Sequence, residues 1–267
     1  MKNPKISVIM SVYNGMPYLK EAVKSILNQT YKNFEFIIVE DGSTDGSWKY
    51  LKSLKDRRIK LIKNSKNLGL AASLNKALGL AQGDYVARMD ADDLSLPKRL
   101  EEQVKFFKNH PSIDICGTWA DIIDQNGNVI GEKKYPTNSN DIRKALSFYN
   151  PIIHPSLMIR KMVFDELKGY DANFDYAEDY DLLMRARKKF SMANLPKKLI
   201  KWRIWDERRS RAYMTKVDKI DLKIKLSSLA RDGVSFYLIL GIIKKLLMMY
   251  LLPFSVKHRI TKYFKIA

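Results

Sequence analysis

The 267-residue sequence holds one cysteine, Cys116, so no disulfide can form within the chain. Its flanks, SIDICGTWA, read as a buried strand, which makes Cys116 an inert core thiol rather than a nucleophile. Only three histidines occur, His110, His154 and His258; they lie far apart and no Cys/His zinc spacing exists. The opening MKNPKISVIMSVYNG reaches turn residues before an apolar signal core could form, so a cytosolic setting is expected. Internal repeats and low-complexity tracts are absent as well. Acid is scarce in one region. Residues 182–267 carry 22 Lys+Arg against 5 Asp+Glu, whereas the preceding 181 residues carry 26 against 24. A nearly neutral body with a strongly basic C-terminal third can attract an anionic membrane surface, a phosphorylated substrate or nucleic acid.

What is present in the first half is alternation. Strand-like runs fall at 5–13, 34–40, 58–63 and 84–89, with helix-like segments at 17–29, 45–55 and 70–81 between them. In the first helical segment Leu19, Val23, Ile26 and Leu27 share one face at spacings of three and four. Continuous apolar strands separated by helices predict a parallel sheet covered on both faces, and such sheets bind ligands at the C-terminal ends of their strands. The chain puts its conspicuous polar groups there: Tyr13-Asn14, Glu40-Asp41 and Asp90-Ala91-Asp92-Asp93. After a helix at 97–109 the pattern becomes mixed. A strand is expected at 113–119, a hairpin turn at Asn126-Gly127, a short helix at 141–149, a strand broken by Pro155 and a helix at 178–189.

The tail differs. Residues 206–233 form a long basic helical pattern, and VSFYLILGIIKKLLMMYLLPF (234–254) is the most apolar stretch of the chain. As one helix it would measure ~31 Å at ~1.5 Å per residue, long enough to cross a bilayer core. Crossing would strand Lys244 and Lys245 mid-bilayer at roughly 2.5–3.5 kcal/mol each. Lying in the interface leaves both lysines among headgroups, with Lys257, Arg259, Lys262 and Lys265 facing anionic lipid, and this is the placement expected. Packing on the protein's own domain is the alternative.

Three carboxylates within four positions, Asp90, Asp92 and Asp93, repel one another unless a cation or a run of donors holds them. A hard divalent ion, Mg²⁺ or Mn²⁺, prefers such oxygen ligands and shares them with substrate phosphates. The alternative is a helix cap by Asp92, Asp93 or Ser95.

These pieces occur together. The run SVIMSVYNGMPYLKEAVKSILNQTYKNFEFIIVEDGSTDGS, then NLGLAASLNKALGLAQGDYVARMDADDLSLPKRL, HPSLMIRK and EDYDLLMRA, resembles family 2 of the glycosyltransferases, nucleotide-sugar-dependent enzymes of the GT-A fold. The likeness covers residues 5–204. It implies an α/β fold with a mostly parallel, Rossmann-like central sheet flanked by helices, over a domain at 1–205 with its nucleotide-binding half at 1–110 and its acceptor half at 111–205. The likeness does not reach residues 206–267, whose basic charge and apolar run predict a C-terminal basic amphipathic helical extension, a membrane-associating tail. By the same resemblance Tyr13 and Asn14 line the nucleotide pocket, Asp41 accepts the imide N–H of uracil, and Asn67 belongs to a loop at the pocket base. Glu40 stands where the family often has aspartate. Asp90 and Asp92 are the expected metal ligands, Asp93 completes the ribose-diphosphate cluster, and His154 lies near the donor sugar. Glu178-Asp179 matches the family's ED pair, with Asp179 as general base and Glu178 contacting the acceptor or supporting the base. Arg203 is a candidate for the diphosphate, while Trp205 stands where the family commonly has histidine. Taken from the residues alone, Asp41 is equally a turn aspartate, Asn67 a cap, His154 a structural side chain, and Glu178-Asp179 a favourable helix N-terminus.

The function expected is a metal-assisted inverting transferase in cell-surface polysaccharide synthesis. It would move a sugar from a UDP-sugar to a hydroxyl of a lipid-linked glycan, such as one carried on polyprenyl diphosphate. It would sit peripherally at the cytoplasmic face of the membrane, with nucleic acid not a partner. Two other classes compete: a sugar nucleotidyltransferase, which usually carries a glycine-rich basic loop that SVYNGMPYLK lacks, and a non-enzymatic basic binding module.

Overall fold

The computed structural model describes residues 4–204 and 214–250. The alternating half folds as its periodicity predicts: β1 (Ile6–Val12), α1 (Leu19–Leu27), β2 (Phe34–Glu40), α2 (Ser47–Ser53), β3 (Ile59–Lys63), α3 (Leu70–Gly79) and β4 (Tyr85–Arg88). These four strands are parallel in the order β3-β2-β1-β4. Because side chains alternate across a strand, the apolar runs feed two cores. Ile6, Val8, Met10, Phe36 and Ile38 face one layer with Leu19, Val23 and Ile26 of α1. Ile9, Ile37, Val39 and Val86 face the other, with Ala71, Leu74 and Ala77 of α3. Burial on both faces is why β1, β2 and β4 are mostly apolar throughout, whereas the edge strand β3 is half-buried and carries Lys60 and Lys63.

The second half is mixed. It comprises β5 (Leu94–Ser95), α4 (Arg99–Asn109), β6 (Ile115–Ile123), β7 (Val129–Lys133), α5 (Ser139–Leu146), β8 (Met158–Arg160), α6 (Lys161–Leu167), α7 (Glu178–Ala186) and β9 (Met192–Arg203). Two 3₁₀ turns, His154–Ser156 and Ala172–Phe174, precede β8 and α7. The sheet continues β4-β8-β6-β9-β5, with β7 hydrogen-bonded to β6. Strand β8 is antiparallel to β4 and β6, β9 runs parallel to β6, and β5 pairs antiparallel with Ile200 and Lys201 of β9. The hairpin expected at Asn126-Gly127 joins β6 to β7, with Gly127 at φ +87°. Residues 192–203 carry no strand expectation, yet they form the sheet's longest element. Pro196 has no N–H to give the ladder, and the register slips there, Leu195 pairing Thr118 while Lys198 pairs Trp119. That bulge hides the strand from a reading based on periodicity.

Two further helices follow, α8 (Met214–Asp232) and α9 (Phe236–Tyr250), separated by Gly233 at φ +78°. Ile224 and Leu238 enter the same core as α7. Lys245 Nζ lies 2.7 Å from Asp218 and 2.8 Å from Asp221 of α8, so this lysine is spent within the protein. The opposite side of α9 exposes Phe236, Leu240, Ile243, Leu247 and Tyr250. No described helix is long and apolar enough to cross a membrane. Trp205 and the basic run Lys257, Arg259, Lys262 and Lys265 lie outside the described residues.

Candidate active site

The loops leaving the C-terminal ends of β1, β2, β3 and β4 form one edge of the parallel half. Tyr13 ends the first strand half-exposed, at 51%. Asn14 takes a left-handed φ of +48°, and its Oδ1 accepts from Thr44 N at 2.8 Å while its own N–H donates to Ser43 Oγ at 3.0 Å. Gly15 N and Met16 N donate to Ser47 Oγ and Asp45 Oδ2. Asn14 therefore joins the first loop to the DGSTD loop. Asp41 is buried, and its two oxygens accept from Asn64 Nδ2 at 2.7 Å, Leu68 N at 2.8 Å and Gly69 N at 3.0 Å. Asn67 Oδ1 shares Gly69 N at 2.9 Å. A side chain at Gly42 would meet the Asn67 backbone nitrogen at 2.8 Å, so glycine there lets the 64–69 loop close over Asp41. A carboxylate has room for about four hydrogen bonds, and Asp41 receives three from its own chain.

The acid loop after β4 is held by two arginines. Ligand oxygens of Asp90, Asp92 and Asp93 lie within 4.8 Å of one another. Arg88, 3% exposed, pairs through Nη1 with Asp90 Oδ2. Arg203, at the end of β9, is also buried. Its N–H donates to Asp93 Oδ1 at 2.7 Å and its Nε to the Asp92 carbonyl at 2.8 Å. Nη1 donates to the carbonyls of Asp124 and Gln125 at 3.1 Å, Nη2 to Glu21 Oε1 at 2.9 Å, and the guanidinium sits 4.2 Å from the centre of the Tyr18 ring. Arg203 is thus built into the wall behind the acids. Asp93 is fully buried, while Asp90 and Asp92 retain exposure. Converging hard oxygens with two carboxylates toward solvent suit a divalent cation.

His154, Glu178 and Asp179 form a second cluster, also within 4.8 Å, near enough to Arg88 and Asp90 for Asp179 to feel both charges. Asp179 Oδ2 accepts from Asn150 Nδ2 at 2.8 Å and Oδ1 from Tyr180 N at 2.7 Å. The position at the start of α7 is expected to keep this carboxylate firmly ionised. Burial outweighs that, aided by Asp90, and raises the Asp179 pKa against the Tyr180 N–H and the Arg88 charge. Burial and then the Arg88 charge push His154 well below the usual imidazole value, so it is neutral at pH 7. Its Nε2 lies 3.1 Å from Tyr170 Oη and its Nδ1 3.7 Å from Glu178 Oε1. That second contact joins a carboxylate to a neutral ring and is no ion pair. Arg88 is the shared positive charge: it touches Asp90 and acts on Tyr170, Glu178, His154 and Asp179. The sequence reading passes over Arg88, Asn150 and Tyr170. A charged residue inside the buried run DYVARM is itself a signal, because a buried charge requires partners.

A parallel half-sheet with polar loops at its strand ends, an acid loop and a second carboxylate pair make up the arrangement of a GT-A fold. The model of the glycosyl transferase family 2 matches residues 7–168, and the chain belongs to that family. The O-antigen biosynthesis glycosyltransferase WbnJ of Escherichia coli is 40% identical over 186 residues, 67% of this chain and 70% of that protein. Among solved structures, a TarS fragment from S. aureus in complex with UDP-GlcNAc superposes with a TM-score of 0.69 at 19% identity, covering 91% of this chain and 72% of the fragment. The match spans 43% of the longer TarS chain. The mannosyltransferase PcManGT from Pyrobaculum calidifontis, in complex with GDP-Man and Mn²⁺, gives 0.67 at 20% identity, over 94% and 71% of the two chains. These likenesses carry the fold, and the family match favours sugar transfer over nucleotidyl transfer or a purely binding role.

Proposed function

We propose that the protein is an inverting glycosyltransferase that moves a sugar from a UDP-sugar to a hydroxyl of a lipid-linked glycan in cell-surface polysaccharide synthesis. The observation that carries this reading is the pair of carboxylate clusters, Asp90/Asp92/Asp93 and Glu178/Asp179, both within the field of the buried Arg88. An inverting transfer needs charge compensation on the departing diphosphate and a base on the opposite face of the sugar. The base is Asp179. It takes the acceptor hydroxyl's proton while that oxygen bonds to the anomeric carbon and the bond to the diphosphate breaks. Its raised pKa makes it a stronger proton acceptor, and the Asn150 and Tyr180 donors fix its orientation.

Asp90 and Asp92 would hold Mn²⁺ or Mg²⁺; when bound, the ion offsets charge on the leaving diphosphate. Asp93 and Arg203 are positioning residues that fix the loop carrying those ligands. Tyr13 and Asp41 receive the base, the fourth acceptor position of Asp41 suiting the imide N–H of uracil. The TarS complex favours a uridine donor, while the PcManGT complex makes a guanosine donor the competing outcome. His154, neutral and buried, shapes the donor-sugar wall beside Glu178. The cytosolic membrane surface is the proposed station, reached through the outward apolar row of α9.

Incubation with UDP-sugars, Mn²⁺ and polyprenyl-diphosphate-linked acceptors tests the reading. Transfer abolished by Asp92→Ala and by Asp179→Asn supports it. Failure of every UDP-sugar, or transfer untouched by both substitutions, refutes it.

A further inference from the structure

Before the C-terminal helices, two aromatic side chains alone among the described residues are exposed: Tyr13 at 51% and Tyr149 at 46%. Each neighbours one of the two carboxylate clusters. Tyr13 stands on the strand-end edge that carries Asp41 and the acid loop. Tyr149 stands next to Asn150, whose amide donates to Asp179. Its ring stacks on Tyr135, with centroids 5.9 Å apart and planes inclined by 29°. Tyr135 is in turn fixed: its carbonyl accepts from Trp119 Nε1 at 3.0 Å, and Lys133 Nζ lies 5.5 Å from its ring centre. Burial first, then Tyr149 and the Asp179 charge, raise the Tyr135 pKa, which places the phenol behind Tyr149 in the field of the base.

The loop that carries Tyr149 is held from behind as well. Tyr180 Oη donates to the Leu146 carbonyl at 2.5 Å, and Lys225 Nζ donates to the Phe148 carbonyl at 3.3 Å. Asn150 Oδ1 accepts from Ile152 N at 3.0 Å. A half-exposed ring on so fixed a loop offers a flat, preformed apolar surface. A pyranose presents a matching face of axial C–H groups while its hydroxyls point outward, so the ring stacks on aromatics and leaves a hydroxyl free to meet a base.

We infer that Tyr149, backed by Tyr135, is the platform on which the acceptor saccharide stacks, with its attacking hydroxyl directed to Asp179. This deepens the proposed function and rests on Asp179 being the base. Tyr149 selects for the C–H face of the acceptor sugar, and Asn150 couples that platform to the orientation of the carboxylate.

Saturation-transfer difference NMR on the full-length protein tests this, with the methyl glycosides of glucose, galactose, mannose and N-acetylglucosamine as probes. The wild type transfers saturation to the ring C–H protons of at least one glycoside. Tyr149→Ala weakens that binding about five-fold, Tyr149→Phe keeps it and Tyr149→Trp strengthens it. Calorimetric titration of UDP with Mn²⁺ is a separate arm and is unchanged by Tyr149→Ala, whereas Tyr13→Ala weakens it. Absence of transfer to every glycoside in the wild type, or transfer that survives Tyr149→Ala, overturns the inference. Should Tyr149→Ala fail to fold, the Tyr149→Trp response decides, and no gain counts against the platform. A wild type that ignores UDP but loses its glycoside contact in Tyr149→Ala sinks the donor reading and leaves the platform standing.

Discussion

Arg88 carries a full charge where almost no water reaches, and Asp90 is the partner in contact with it. Removing one member of such a pair leaves the other charge uncompensated, a loss of about 3 kcal/mol in buried cases. Arg88→Met should therefore lower stability by about that much in urea unfolding, with Arg88→Lys intermediate. Loss of its field should also raise the Asp179 pKa further, moving the acid limb of the rate profile toward neutrality. The Asp179 carboxyl gives a second expectation whose sign follows from linkage. Its folded pKa lies above the unfolded value, so the fold favours the protonated form and ionisation at neutral pH opposes folding. Asp179→Asn should then abolish transfer while leaving the melting temperature at pH 7 equal to or above that of the wild type. That advantage fades as pH falls through the folded pKa and is gone below the unfolded carboxylate value, about 3.9. Thermal melts at several pH values alongside activity check both halves. The ED pair draws attention to Asp179, but nothing near it in the sequence reveals its environment. The Arg88 and Asp90 charges arrive from the end of β4 and the loop after it, about ninety residues earlier in the chain.

At the scale of elements, the parallel half is readable because its strands are short, largely apolar runs separated by helical segments. The second half resisted because its elements break local rules to meet tertiary needs. Strand β9 tolerates Pro196 by bulging, and the segment before β8 turns through His154–Ser156 instead of extending. Helix α9 shows a different compromise. Gly241 rests on the α5–β8 connection, where any side chain would put its Cβ 1.7 Å from the Ser147 carbonyl oxygen. Gly241→Val should cost about 1–3 kcal/mol through overpacking and expose α9 to limited proteolysis. The outer row of the same helix makes the opposite prediction. Replacing Phe236, Ile243 and Leu247 together by serine should leave the fold intact and sharply reduce co-sedimentation with phosphatidylglycerol vesicles. Unchanged sedimentation would remove α9 from the membrane reading.

For the molecule as a whole, the described part of the basic tail is welded to the body. Ile224 and Leu238 fill the core beside α7, Lys225 is buried against Asp221 and Phe148, and Arg187 of the body meets Asp232. A chain cut after residue 213 should expose that apolar seam and unfold at a markedly lower urea concentration. The charge asymmetry is legible in the sequence, which favours an interfacial tail and leaves packing on the protein's own domain as the alternative. What it concealed is that Lys225 and Lys245 are consumed internally.

Arg203 ties together parts of the chain made at very different times. One side chain, supplied by the last strand, reaches Glu21, the Asp92 carbonyl and the hairpin at Asp124–Gln125, while its backbone secures Asp93. A growing polypeptide on the ribosome would thus hold the strand-end loops of Asp41 and Asp90–Asp93 by its midpoint and still lack the clasp that sets them. On the proposed reading, a fragment ending before Arg203 should take up UDP and Mn²⁺ more weakly than the whole chain, however faithfully its first four strands assemble, and calorimetric titration of both checks this.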